Sequence, residues 1–274
     1  MEKIIPPIVS CYPIKIALCI TRSKETIFAL NENEVFPAAS LVKVPLALLI
    51  LKKCQEKKFN LQDKIKVDNK VGGAGIIKDL SQEEYKLIDL ITLSIVLSDN
   101  TASNTLINLT NLEEIEDFLK SLGLSKTCIK RKFMVDLINP PVNFTTASEM
   151  NTVFQKLIDF EILNSENTLL FLDILSKQQY REKIPLFLNN SCIVCNKTGD
   201  ISGISHDAGV IFLDESIESS IRNGKYYILT VLTKFSEQVS RQLVNNIIGE
   251  ISLNIYRWIG GNNYVHTYLG QTLQ

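Results

Sequence analysis

One stretch leaves this chain few ways to fold. Residues 36–50 read Phe-Pro-Ala-Ala-Ser-Leu-Val-Lys-Val-Pro-Leu-Ala-Leu-Leu-Ile, an apolar run broken only by Ser40 and Lys43. So apolar a run reads as a helix buried on every side. Residues three apart on a helix share a face, which puts the Lys43 amine beside the Ser40 hydroxyl. A hydroxyl becomes a nucleophile when a base stands next to it, and a desolvated lysine can be that base. Burial disfavours the ammonium, and a second nearby cation disfavours it further. The N–H groups at the helix start suit a developing oxyanion. The competing reading is a core helix with an incidental serine and a lysine that snorkels to water. The stretch alone leaves both open.

Composition narrows the class. The chain has 274 residues, enough for one large domain or two interlocked subdomains. Its 29 basic and 30 acidic residues leave a formal net charge of -1, which argues against a dedicated nucleic-acid or membrane-surface binder. No apolar run reaches the roughly 18 residues of a membrane span. The first residues, Met1-Glu2-Lys3-Ile4-Ile5-Pro6-Pro7, lack the basic-then-apolar order of a secretory signal. The expectation is a cytoplasmic protein if the chain is complete, or an exported one if a leader has been removed. Six cysteines are scattered rather than arranged as a disulfide scaffold. Cys192 and Cys195 have CxxC spacing but lie on a strand-like run, where they face opposite ways and read as buried thiols. His206 and His266 are the only histidines and lack ligand spacing, so neither a metal nor another cofactor is expected. Nothing in the sequence indicates an oligomeric state.

The order of elements predicts an α+β fold. Residues 13–20 and 26–30 read as strands, followed by the Ser40 helix to about residue 57. Helices are then expected from a capping box at Ser81, over 87–97, 101–109 and 112–122, from Thr146 to 160, and over 165–177. Residues 128–146 read as a long loop, and the glycines at 72, 73 and 75 as a flexible turn. Strands follow at 191–196, 208–213 and 226–234, then a helix over 237–259 with Leu243, Ile247, Ile251 and Ile255 on one stripe. Strands from both chain ends must pair into one mainly antiparallel sheet flanked by helices. Residues 1–44 and 186–274 are expected to form that sheet subdomain and residues 45–185 an inserted all-helical one, with a cleft between them.

Two further motifs stand along the chain. Ser98-Asp99-Asn100 lies at a helix boundary, where such residues also serve as caps. Lys197-Thr198-Gly199 reads as the end of a strand with a turn glycine. Each is weak alone. Ser-x-x-Lys, Ser-Asp-Asn and Lys-Thr-Gly occur once each, in that order, on a helix, a junction and a strand. In that order and context the three form the set carried by active-site serine penicillin-recognising enzymes.

On these residues the chain resembles the class A β-lactamases and the related serine hydrolases akin to penicillin-binding proteins. The likeness covers most of the chain, including Val-Leu-Ser-Asp-Asn-Thr-Ala-Ser-Asn over 96–104 and Lys-Thr-Gly-Asp-Ile-Ser-Gly-Ile-Ser-His-Asp-Ala-Gly over 197–209. The resemblance implies that Ser40 is acylated, that Lys43 accepts its proton, and that Ser98 passes a proton to the leaving amine. It implies that Asn100 binds substrate amide and tethers Lys43, and that Lys197, Thr198 and Gly199 form the strand that binds the substrate carboxylate. It gives the oxyanion hole to the backbone N–H groups of Ser40 and Asp200. The implied partner is a small-molecule β-lactam, or a peptide or ester substrate, with no nucleic acid and no membrane span.

The chain also departs from the family. Class A enzymes carry a glutamate in the loop before the Thr146 helix, which activates the water that releases the acyl-enzyme. Here residues 131–145 contain no glutamate; Asp136 is the sole carboxylate, with Asn139 three residues on rather than four. Asp136 is a candidate for deacylation and equally a loop aspartate capping local backbone. The sequence thus supports acylation more firmly than rapid release. A lactam hydrolase, a peptidase or esterase, a penicillin-binding relative that acylates and holds, and a purely structural domain all stay open. His206 is expected to be structural or at the substrate rim.

Overall fold

A computed structural model describes residues 4–135, 142–188 and 192–260. Five strands form the sheet: β1 (Ile14–Arg22), β2 (Glu25–Leu30), β7 (Ile193–Ile201), β8 (Ile204–Phe212) and β9 (Tyr226–Phe235). Their order is β2-β1-β9-β8-β7, with every neighbouring pair antiparallel. β1 lies against β9 from Ile14↔Phe235 to Thr21↔Ile228, so the two ends of the chain meet in mid-sheet. β7 and β8 form a hairpin closed at Ile201↔Ile204, where Gly203 takes the φ of +68° that the tight turn demands.

The central strands are buried on both faces, and all nine residues of β8 are buried. Helices cover both sides. On one side lies α8 (Arg241–Trp258), whose Ile247, Ile251 and Ile255 enter a core with Leu18, Ile20 and Tyr227, while Leu243 packs at its edge. Burying each such side chain is worth about 1.5–3 kcal/mol before chain entropy is counted. On the other side, α5 (Ala147–Ile158) packs on β1 and β9. Beyond it stand α1 (Lys43–Gln55), α2 (Leu87–Val96), α3 (Asn100–Asn108), α4 (Leu112–Ser121) and α6 (Ser165–Ser176). Their apolar residues share one cluster with Ala17, Cys195, Ala208 and Phe212 of the sheet. Cys195 therefore faces this cluster and Cys192 packs against the opposite one, the two-faced arrangement that strand spacing requires.

Several local expectations are overturned. α1 begins at Lys43, so Ser40 lies in the turn before it and not on a helical face. The capping box at Ser81 opens no helix: Glu84–Lys86 is strand β5, paired with β4 (Lys64–Lys66) at Ile65↔Tyr85. Cross-strand pairing outweighs a local cap signal there. Residues 128–146 include β6 (Phe144–Thr145), which pairs with β3 (Phe36–Pro37) at the approach to Ser40. Lys197, Thr198 and Gly199 lie inside β7, not at its end. α7 (Ile217–Asn223), capped by Ser216 and closed by Gly224 at φ +63°, went unpredicted.

The capping pattern at Thr146 is realised by half. Thr146 accepts the Glu149 N–H, but the Glu149 carboxylate turns away to the backbone N–H groups of Ser125, Lys126 and Thr127 and the Thr127 hydroxyl. These donors hold its pKa below the usual glutamate value despite its burial. The chain entering the 128–144 segment is thereby tied to α5.

Candidate active site

Ser40 reaches the cleft because its approach is pinned from three directions. β3 is paired to β6, the Ala38 N–H donates to Asn143 O (2.7 Å), and the His206 ring lies below. His206 Nδ1 accepts from the Thr233 N–H at 3.0 Å, so Nε2 carries the proton and donates to Pro37 O at 2.9 Å. Burial pushes its pKa down to about 4. His206 is thus a neutral, fully buried strut between the sheet and the Ser40 turn, which removes it from any role as catalytic base. Ala39, just before Ser40, holds a φ of +47°, a backbone region that side chains other than glycine seldom adopt.

Lys43, at the first turn of α1, has no exposed surface. Its Nζ donates to Ser98 O (2.6 Å), Asn100 Oδ1 (2.8 Å) and Ser98 Oγ (3.3 Å). Those contacts occupy all three hydrogens of an ammonium, and none of them is with Ser40. The Phe133 ring covers the amine, its centroid 4.4 Å away. Burial, and secondly the charge on Lys197, hold the Lys43 pKa well below that of an ordinary lysine, while Asp99 pulls the other way.

Ser98-Asp99-Asn100 is built as a unit. Ser98 has φ +54°, turning its hydroxyl back toward Lys43. Asp99 caps α3 through the Ala102 N–H (2.9 Å) and also accepts from the N–H groups of Ile76 (2.7 Å) and Ile77 (2.9 Å). Asn100 completes the attachment: its N–H donates to Ala74 O and its Nδ2 to Gly72 O. The glycine run is therefore a fixed wall of the cleft rather than the loose turn read from the sequence. Gly75, at φ +102°, shows why: a Cβ there would sit 2.2 Å from the Asp99 carboxylate.

β7 brings the remaining residues. Lys197 is fully buried and donates to Thr198 O at 2.6 Å. Burial and the nearby Lys183 charge push its pKa down to about 7. Gly199 lies against the Ser40 turn so closely that a Cβ would come within 3.1 Å of Ala39 Cβ and 3.2 Å of Ser40 N. Asp200 follows, its carboxylate 2.5 Å from Lys183 Nζ and accepting from Ser205 Oγ at 2.9 Å. Ser40, Asn100 and Asp200 line one cleft together with Ala74, Phe133 and Ile201. Lys43 joins it through Asn100 and Ser98. The structure thus gathers Ser40, Lys43, Ser98, Asn100, Gly199 and Asp200 from three separate parts of the chain, with Lys197 and Thr198 preceding Gly199 on β7. Asp136 and Asn139 lie outside the described residues.

Four contributors carried no sequence assignment. Phe133 is held by Asn104, whose side chain accepts the Phe133 N–H (2.8 Å) and donates to Phe133 O (2.8 Å). Asn143 closes the neck of the same segment by accepting the N–H groups of Lys130 (2.8 Å) and Arg131 (3.2 Å). Lys183 is fully buried against Asp200. Asn104 ends the 96–104 stretch and was visible there; the other three sit in irregular segments without a periodic signal.

A sequence model of the Beta-lactamase enzyme family matches residues 1–259. A curated relative is the extended-spectrum beta-lactamase PER-1 of Pseudomonas aeruginosa, 24% identical over 247 residues, which span 84% of this chain and 77% of the relative. The beta-lactamase structure from Sphaerobacter thermophilus superposes with a TM-score of 0.82 at 26% identity, covering 91% of this chain and 92% of the other. PBP-A superposes with a TM-score of 0.79 at 24% identity, covering 90% of each chain. A PBP-A mutant captured as an acyl-enzyme complex with penicillin G has a TM-score of 0.82 at 23% identity, covering 94% of this chain and 95% of that one.

Proposed function

The chain belongs to the beta-lactamase enzyme family and is a serine hydrolase of the class A type, and we propose that Ser40 is its nucleophile, acting on β-lactam amides. The observation that carries this reading is the buried Lys43 amine, bonded to Ser98 and Asn100 and depressed in proton affinity, three residues along the chain from a serine that the Gly199 strand abuts.

Ser40 Oγ attacks the lactam carbonyl and its proton passes to neutral Lys43 Nζ, the Ser40–Lys43 contact forming as substrate settles. The carbonyl electron pair moves onto oxygen, which receives hydrogen bonds from the backbone N–H groups of Ser40 and Asp200. Collapse re-forms the carbonyl and breaks the C–N bond, and Ser98 delivers its hydroxyl proton to the departing nitrogen. Lys43, 3.3 Å from Ser98 Oγ, then returns the proton to Ser98. Lys197 and Thr198 hold the substrate carboxylate. Water finally cleaves the Ser40 ester and restores the hydroxyl.

One observation favours a second reading of that last step alone. Phe133 places an apolar ring over Lys43, and Asp99, the carboxylate whose charge acts on that amine, is taken up by three backbone N–H groups. On this reading the acyl-enzyme is long-lived. Intact-protein mass spectrometry after mixing with benzylpenicillin tests both steps. A mass gain equal to the whole penicillin, absent in Ser40→Ala, supports the nucleophile; no adduct and no nitrocefin hydrolysis at all would reject it. An adduct lasting minutes or more supports slow release, and Phe133→Glu should then shorten its lifetime at least tenfold. Return to the free mass within seconds supports fast turnover instead.

A further inference from the structure

The rim of the cleft, from Ile201 at the end of β7 to Arg131, Met134 and Val142, has a chemical character that the reaction itself does not require. Met134, Val142 and Ile201 lie about the opening, 43%, 38% and 46% exposed, although each is an apolar side chain. Exposed apolar groups gathered about one opening mark a surface kept for a ligand. Among them stands Arg131, which lines the same cleft as Ser40.

Among the described residues Arg131 has no countercharge. Its Nε is buried without an acceptor among the described residues, and its guanidinium makes a long hydrogen bond of 3.5 Å from Nη1 to Lys132 O. Among the described residues no carboxylate lies within ion-pairing distance of Arg131, nor of Lys130 or Lys132 on either side. The nearby acids are engaged: Asp99 by three backbone N–H groups, and Asp200 by Lys183 and Ser205. The arginine is also held in place, since Asn143 accepts its N–H and donates to its carbonyl at 3.3 Å. A guanidinium with unmet donors beside exposed apolar side chains is a strong receptor for a carboxylate, because partial desolvation raises the value of each charge-assisted hydrogen bond.

We infer that this rim is a subsite for the acyl side chain of the substrate, built for a short apolar stem ending in a carboxylate, with Arg131 receiving the carboxylate and Met134, Val142 and Ile201 the stem. The inference rests on the reading of Ser40 as the nucleophile, because it is the acyl group bound there that extends across this rim.

The test is a matched pair of cephalosporins that share one ring system: glutaryl-7-aminocephalosporanic acid and its pentanoyl counterpart, in which a methyl group replaces the terminal carboxylate. The second-order rate of Ser40 acylation is measured for each, with nitrocefin as reference. The glutaryl compound should react about tenfold faster, the ratio expected of one desolvated ion pair. That advantage should shrink in 0.5 M salt, fall to about one in Arg131→Met, and survive in part in Arg131→Lys. A wild-type ratio of one or less, or a ratio unchanged by Arg131→Met, would overturn the subsite even if the variants prove unstable, since the first comparison needs none. If nitrocefin also leaves Ser40 unmodified, the nucleophile reading falls and the subsite with it. If nitrocefin acylates Ser40 while the ratio is one, the subsite alone falls.

Discussion

Two of the buried lysines, Lys43 and Lys197, set opposite limits on the reaction. Lys43 accepts a proton only when neutral, and burial together with the Lys197 charge brings that state within reach at lower pH than for a free lysine. Lys197 must be charged to hold a carboxylate, yet its pKa is pushed down to about 7. Loss of the Lys43 proton should raise kcat/KM for a carboxylate-bearing lactam and loss of the Lys197 proton should lower it, so the profile should carry a falling limb near 7. Lys197→Arg, permanently charged, should move the falling limb to higher pH; a profile with the same falling limb would assign it to another group. Lys43→Arg cannot accept a proton and should slow acylation by about 10²–10⁴-fold, read in single turnover. The Ser-x-x-Lys spacing was legible in the sequence, as was the pairing of Ser98 and Lys197 with it. The sequence could not show that Lys43 bonds Ser98 and Asn100 instead of Ser40, because those contacts join residues 55 and 57 positions apart.

Two glycines on the strands of the β7–β8 hairpin have different duties. A Cβ on Gly209 would lie 2.3 Å from Cys195 O, a backbone atom in the centre of the sheet. Gly209→Ala should destabilise the protein by about 3 kcal/mol or more, or prevent folding, as judged by urea unfolding. A Cβ on Gly199 would come only to 3.1–3.2 Å of the Ala39–Ser40 turn. Gly199→Ala should therefore fold with a loss of about 1 kcal/mol while acylating at least tenfold more slowly, since the displaced atoms are those of the oxyanion donors. Equal effects of the two substitutions on stability would contradict this division.

β8 also holds two buried groups whose titrations oppose each other. His206, pushed down to about 4, binds a proton in the unfolded chain but not in the folded one between pH 4 and 6.5, so its contribution to stability falls as pH falls through that window. Asp207 is pushed up to about 7 by burial, and is bonded by Asn196 and the Ile184 N–H. It keeps its proton when folded and loses it when unfolded, so its contribution to stability rises over nearly the same window. The two slopes offset. Asp207→Asn should expose the histidine slope, and its stability should drop by up to about 1.4 kcal/mol per pH unit more steeply than that of the parent between pH 6.5 and 4.5. Parallel slopes in urea titrations at several pH values would refute the pairing.

At the scale of the molecule, the larger apolar cluster contains residues of α1, α2, α4, α5 and α6 and of β1, β7, β8 and β9 alike. No line of weak packing separates helices from sheet in that cluster, and β1 on β9 closes the chain on itself. Urea unfolding should be a single transition, coincident by far-ultraviolet and near-ultraviolet circular dichroism; separated transitions would show the helices to be independently stable.

The sequence by itself determined what is local. Strand and helix order, the α8 stripe, the caps at Asp99, Asn111, Thr146 and Ser240, and the three motifs each follow from spacing and side-chain chemistry within a few residues. Tertiary structure decided the rest: Glu84–Lys86 became strand because β4 was there to pair with it, and Ser40 fell outside its helix because β3, Asn143 and His206 hold the approach. It also decided that Phe133 roofs Lys43, that Lys183 is buried on Asp200, and that Arg131 stands without a countercharge among the described residues. The physical reason is common to all of them. Burial and charge compensation are sums over neighbours distant in sequence, and only the folded chain fixes which neighbours those are.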